Sequence, residues 1–251
     1  MRQKYPIMFI PGLIVGHKLY EWAQVVDHVR KTAPLFAVHA RQRGMLLAER
    51  AHHLKETIKA HYEDEKLHLF GHSAGGIDAR YMLAKYPEMR RQIVSLTTCG
   101  TPHLGTKIAD NYFRDFANSE LDEMLTGGEK AEKIVKELTT PEMIRLNDEM
   151  ETRRHLNNQV FCLPIYIGSI FKTGISNWSG YRTLCKDGLA NDGTVTVKSQ
   201  TYGRIIQLIE GDHKCATLPF RYGWPWQTDK YKEVFAALLK RIELLEASNS
   251  I

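Results

Sequence analysis

The stretch Leu67-His68-Leu69-Phe70-Gly71-His72-Ser73-Ala74-Gly75-Gly76 joins an apolar run to a helix-like segment, and Ser73 falls on the turn between them. The run Leu67, Leu69, Phe70 stops at Gly71, and residues 75–85 carry helix-forming side chains. A G-x-S-x-G pattern between strand and helix is the setting a nucleophile elbow requires. Such a turn holds the serine in a strained backbone conformation. Side chains two residues before and after it would collide, which gives Gly71 and Gly75 a steric reason to be there.

Outward from this turn, short apolar strands alternate with amphipathic helices. Ile7 to Ile10 reads as a buried strand closed by Pro11-Gly12-Leu13. Trp22, Val25, Val26 and Val29 have helical spacing over residues 22–32, Leu35 to Val38 is strand-like, and Leu47, Ala51, Leu54 and Ile58 give a helix from Leu46 to Tyr62. After the elbow helix comes the β-branched run Ile93 to Thr97. This alternation predicts parallel β-α-β units, and right-handed crossovers put helices on both faces of an α/β sheet. Further strands are predicted at Leu163 to Ile167, Thr194 to Val197 and Arg204 to Ile209, before a last helix from Asp229 to Glu246 that offers Val234, Leu238 and Leu245 for packing. Residues 105–159 break the pattern. They are helical and charged, with the apolar pairs Tyr112/Phe116 and Ile134/Leu138 and a Gly127-Gly128 break. We read them as a helical cap or lid inserted into a single domain spanning 1–251, because loops at that sheet edge carry function.

Composition narrows the function classes. The 251 residues carry a net charge of +5, but the 34 basic and 29 acidic side chains are interspersed and form no basic stripe. Nucleic-acid binding therefore has no positive support. Cys99, Cys162, Cys185 and Cys215 contain no C-x-x-C pair and are expected reduced and buried, a Cys185–Cys215 bridge being the one alternative. The eleven histidines form no H-E-x-x-H pattern, so no metal is expected. No run has the length of a transmembrane helix. Residues 7–15 follow Arg2 and Lys4, yet Pro11 and Gly12 interrupt them and no A-x-A-like site follows, so they read as core strand, not leader. The expected location is cytoplasmic; the alternative is a secreted protein supplied without its leader.

A serine hydroxyl is too weak an acid to attack an ester unaided, so it needs an imidazole in hydrogen-bond reach and a carboxylate to orient that ring. In an elbow-bearing α/β sheet the chain order is Ser, then Asp or Glu, then His. His213 follows the late strand at Arg204 to Ile209; His103 precedes every acid on a late strand and fails the order. Asp192, in Asn191-Asp192-Gly193, is favoured as the acid over Asp187 and over Asp212, whose side chain would point away from its neighbour. Two preorganised N–H donors are needed for the oxyanion. Ala74, after the nucleophile, supplies one and Leu13, after the first strand, the other.

These residues resemble the true-lipase family of bacterial triacylglycerol lipases, the Pseudomonas and Proteus type, within the α/β-hydrolases. The resemblance runs through Tyr5-Pro6-Ile7, Gly71-His72-Ser73-Ala74-Gly75-Gly76 with Arg80-Tyr81, Gly100-Thr101-Pro102-His103-Leu104-Gly105, Leu138-Thr139-Thr140 before Asn147, Asn191-Asp192-Gly193 with Val195, and Asp212-His213. It implies an α/β-hydrolase fold, Ser73, Asp192 and His213 as triad, and Leu13 and Ala74 as oxyanion donors. Two departures stand out. Pro11-Gly12 replaces the family's usual His-Gly, and His213-Lys214-Cys215 replaces the His-x-Asp of calcium-binding members, leaving no carboxylate there for calcium. The expected activity is that of a serine carboxylic-ester hydrolase, lipase or esterase, acting on acyl esters or lipids through an acyl-enzyme on Ser73. It needs no cofactor and touches a lipid surface transiently at most. The alternatives are a thioesterase, amidase or acyltransferase with the same triad and, from another class, a non-catalytic acyl-binding module.

Overall fold

A computed structural model describes residues 4–13, 19–40, 44–115, 131–150, 156, 159–168, 175–186, 188–214 and 230–248. Its strands are β1 (Ile7–Ile10), β2 (Phe36–Val38), β3 (Leu67–His72), β4 (Ile93–Cys99), β5 (Val160–Leu163), β6 (Ile165–Tyr166), β7 (Arg204–Ile205) and β8 (Ile209–Glu210). Six of them form one sheet in the order β2-β1-β3-β4-β5-β7, every pair parallel, while β6 and β8 make a separate parallel pair. The helices are α1 (Leu19–Arg30), α2 (Leu47–Tyr62), α3 (Ala74–Lys85), α4 (Lys107–Asp115), α5 (Ala131–Lys136), α6 (Thr140–Asn147), α7 (Ile175–Cys185), α8 (Val197–Gln200) and α9 (Lys230–Ser248).

Period-two alternation sorts the strand residues onto two buried faces. In β1, Ile7 and Phe9 join Val25 and Val29 of α1 and Val234, Phe235 and Leu238 of α9. Met8 and Ile10 point the other way, into a cluster with Ala51, Leu54 and Ile58 of α2 and Ala79, Met82 and Leu83 of α3. Both sheet faces are thus covered by helices, as the alternation predicts. The aromatic centre of the first face is Phe235, edge-on to Phe36 and Phe70 at 5.5 and 5.4 Å.

Three strand expectations are corrected. Thr194 to Val197 is a turn leading into α8: the Asp192 carboxylate takes the N–H groups of Thr194 and Val195 at 2.8 and 2.7 Å, and Thr196 Oγ1 caps α8 by accepting from Ser199 N. Local side-chain acceptors outcompete a ladder there despite the β-branched residues. Pro164 divides Leu163 to Ile167 into β5 and β6, because it has no N–H to donate. Arg204 to Ile209 is likewise split, β7 staying on the main sheet and β8 leaving to pair with β6.

Within residues 105–159, the described helices are tied to the body. Arg50 of α2, buried, pairs with Asp78 of α3 at 2.8 Å and with Glu137 at 2.9 Å, and Glu137 also accepts from Leu47 N at 2.7 Å. Met143, Leu146 and Met150 pack on Leu47 and Ile77. Ile134 is buried, and Leu138 packs against Ala109 and Val135 and against the cluster of Met143, Leu146 and Met150. The side chains of Trp22, Tyr112 and Phe116, the Gly127-Gly128 break, Asp187 and Cys215 lie outside what is described.

Candidate active site

Ser73 sits between β3 and α3 with φ 53° and ψ −130°, one of two non-glycine residues with positive φ among those described. A backbone this strained persists only where its surroundings over-determine it. Here the surroundings are close. Ser73 N donates to Cys99 O at 2.9 Å, continuing the ladder to β4, and the Cα of Gly75 lies so near the Ile10 and Pro11 carbonyls that a β-carbon there would overlap them. The loop after β1 passes directly over the serine. A β-carbon on Gly12 would come within 2.7 Å of Ser73 Cβ and 3.2 Å of its Oγ. Leu13 follows Gly12 in that loop and Ala74 opens α3, so the Ala74 N–H is among the first-turn donors without an intrahelical acceptor.

His213 Nε2 lies 3.0 Å from Ser73 Oγ, and Nδ1 lies 2.7 Å from Asp192 Oδ2. The ionised carboxylate can only accept, so Nδ1 carries the proton and Nε2 presents its lone pair to the serine. Asp192 is fully buried. Its other oxygen, Oδ1, is satisfied by the Thr194 and Val195 amides, so the turn that replaces the expected strand is what holds Asp192 in place. The backbones lock as well: His213 N donates to Asp192 O at 2.9 Å. Gln200 of α8 clamps the same region, its Nε2 donating to Ile165 O and Val195 O while Oε1 accepts from Ile165 N. The sequence therefore brings Ser73, Asp192 and His213 from three separated loops to one point.

The neighbouring candidates go elsewhere. Asp212 turns its Oδ1 to Lys214 N at 3.0 Å. His103 is buried in a network: Arg80 Nη1 donates to its Nδ1 at 3.0 Å, Thr98 Oγ1 meets its Nε2 at 3.0 Å, and the Tyr202 ring stacks on it at 4.7 Å. Burial, and after it the Arg80 charge, holds the His103 imidazole neutral by pushing its pKa well below the usual value. Arg80 Nη2 continues the chain to Asn147 Oδ1, and Asn147 Nδ2 donates to His103 O, joining the loop after β4 to α6.

His72, a motif residue to which the sequence assigns no role, supports His213. Its Nε2–H donates to the His213 carbonyl at 3.0 Å, and the two rings lie 5.0 Å apart. Burial, followed by the charge of His213, pulls the His72 pKa down to about 3. It is a neutral strut under the His213 ring. Burial also raises the Cys99 thiol, and the nearby Asp192 carboxylate adds to that, so Cys99 stays protonated.

This architecture is that of the α/β-hydrolase fold. A family model described as the alpha/beta hydrolase fold matches residues 47–122. By structure, the chain is similar to a mature lipase of Bacillus licheniformis (TM-score 0.74, 20% identity, covering 96% of this chain and 93% of that one) and to a metagenomic carboxyl esterase (TM-score 0.74, 18% identity, 100% and 77%). By sequence, it is similar to triacylglycerol lipases. It is 30% identical over 156 residues to triacylglycerol lipase 2 of Saccharomyces cerevisiae, covering 59% of this chain and 45% of the relative. It is 28% identical over 130 residues to the Pseudomonas fragi triacylglycerol lipase, covering 48% and 42%. The chain thus aligns with under half the length of these two lipases. Among the described residues, no helix is long and apolar enough to cross a membrane.

Proposed function

We propose that the chain is a serine carboxylic-ester hydrolase of the lipase and esterase kind. The observation that carries this reading is the continuous hydrogen-bond line Ser73 Oγ, His213 Nε2, His213 Nδ1, Asp192 Oδ2 beside a strained nucleophile turn. Ser73 Oγ attacks the acyl carbonyl as His213 Nε2 takes its proton, and the N–H groups of Ala74 and Leu13 receive the oxyanion. His213 then protonates the departing alcohol. Water, deprotonated by the same nitrogen, cleaves the acyl-enzyme and frees a carboxylic acid. Asp192 keeps the imidazole in the tautomer that makes both transfers possible.

In this reading residues 105–159 form a cap over the acyl site, fixed to the body on its C-terminal side through Glu137 and Arg50. The substrate is a lipid or other acyl ester, met through transient contact with a lipid surface. The free thiols of Cys99, Cys162 and Cys185 suit a reducing compartment, and we place the chain in the cytoplasm on that ground.

The test is labelling with a fluorophosphonate, mapping the adduct by mass spectrometry, and hydrolysis of p-nitrophenyl esters from short to long acyl chains. A Ser73 adduct is expected, with turnover falling by about 10³-fold or more in Ser73→Ala and His213→Ala. Near-normal turnover in either variant would sink the mechanism. Turnover of thioesters or transfer to alcohols in preference to ester hydrolysis would move the activity to the alternative class.

A further inference from the structure

Where the sheet ends, β7 and α9 enclose a groove of about 290 Å³ that shares no residue with the candidate active site. Its walls include Phe161, Arg204, Ile205, Lys240, Arg241 and Leu244. Three of these are cations and no lining residue is a carboxylate. The Arg241 guanidinium lies over the Phe161 ring at 4.2 Å, yet its Nε is buried without a hydrogen-bond partner. Arg204 sits close enough that, after burial, its charge is the next cause lowering the Arg241 pKa. Two like charges facing across a partly dry groove disfavour each other, and a bound anion would reverse the sign of that interaction.

The walls between the cations are apolar, and two of the chain's more exposed large hydrophobic residues, Ile205 at 51% and Leu244 at 54%, stand at the groove. A purely ionic ligand would leave them wet. A neutral lipid would leave the buried Arg241 Nε unsatisfied. At the lower end of the size range for small-molecule pockets, the groove suits one alkyl chain and not a triglyceride.

From this the structure assigns a second binding site, in which Arg204, Arg241 and Lys240 hold the carboxylate of a free fatty acid while its alkyl chain lies along Phe161, Ile205 and Leu244. Arginine suits the head group, because its planar fork matches a carboxylate's two oxygens. That the ligand is also the product of the proposed hydrolysis rests on the hydrolase reading; the binding does not.

The experiment is titration of the whole protein with dodecanoate below its critical micelle concentration, alongside dodecanol, dodecyl phosphate and acetate, with a diazirine-bearing dodecanoate to locate the site. Crosslinks are expected on residues 204–207 and 237–244. Dodecanoate should bind at least 10-fold more tightly than dodecanol or acetate, and Arg204→Gln and Arg241→Gln should each weaken it by about 10-fold or more. Hydrolysis of p-nitrophenyl acetate should be unchanged in both variants. Arg204 is exposed on an edge strand, so its variant remains informative if Arg241→Gln fails to fold. Crosslinks confined to the vicinity of Ser73, dodecanol binding as tightly as dodecanoate, or unaltered binding in Arg204→Gln would overturn the site. Tighter binding of dodecyl phosphate would overturn its assignment to a carboxylate. A wild-type protein that binds dodecanoate in the groove but turns over no ester would refute the hydrolase reading and leave the groove standing.

Discussion

Replacing His72 with glutamine should change how stability depends on pH more than stability itself. An unfolded histidine titrates near 6.5. In the fold, burial lowers His72 to about 3. Between these values the unfolded chain binds a proton the folded chain refuses. The His72 contribution is therefore intact above about pH 6.5 and is lost progressively as pH falls toward 3. The integrated loss is about 1 kcal/mol at pH 5.5 and about 3 kcal/mol at pH 4.5. His68, lowered to about 4 mainly by burial, and His103 act in the same direction, so the wild-type slope alone would not isolate His72. The comparison with His72→Gln does. Glutamine keeps an N–H for the His213 carbonyl but does not titrate. At neutral pH the variant should be less stable by about 1–2 kcal/mol, from imperfect packing and a displaced hydrogen bond. Urea denaturation at pH 7.5, 5.5 and 4.5 should show that deficit shrinking and reversing between about pH 5 and 6, so that the variant is the more stable protein at pH 4.5. If the two stability curves ran parallel, within about 0.5 kcal/mol over that range, His72 would not be a buried neutral strut and the reasoning would fail.

Two further perturbations probe other contacts. Gly12→Ala pushes a methyl group to 2.7 Å from Ser73 Cβ; kcat/KM should fall by about 10²-fold for a stability loss of about 1–3 kcal/mol, and unchanged turnover would mean that the loop after β1 does not fix the nucleophile. Arg50→Met removes the cation facing both Asp78 and Glu137. The expected loss is about 3–5 kcal/mol in urea denaturation, and a loss under about 1 kcal/mol would show that the buried pair does not anchor residues 131–150.

What could be read in advance follows the range of the interactions. The elbow is local: ten consecutive residues contain the strand end, the turn glycines and the helix start, so its place is legible in its own sequence, whereas the strain at Ser73 is held by Cys99, Ile10 and Pro11 from outside it. The helices on both faces were legible because alternation in β1 and spacing in α2 are also local patterns. Asp192 and His213 could be singled out by chain order and chemistry, and the fold brings them to Ser73. Thr194, Val195, Thr196 and Val197 have strand propensity, but the deciding factor is a neighbouring carboxylate that takes the Thr194 and Val195 amides, together with the Thr196 cap of α8. The His72 strut reaches a carbonyl 141 residues away, and the Arg50–Glu137 pair spans 87 residues. No spacing rule connects such partners, and only the assembled sheet brings them together.

The position of Phe235 has a consequence for synthesis on the ribosome. β1 leaves the ribosome well before α9, with Phe9 on the face that α9, the last described helix, must cover. Glu246, near the end of α9, accepts hydrogen bonds from the Lys4 and Tyr5 amides at 3.1 and 3.0 Å, so the two ends of the described chain close on each other. Until α9 emerges, the Phe9, Phe36 and Phe70 rings form an uncovered aromatic surface on an otherwise assembled sheet. Growing chains halted before residue 230 should therefore be held by chaperones or aggregate, and the sheet is completed on this face only when α9 seals β1.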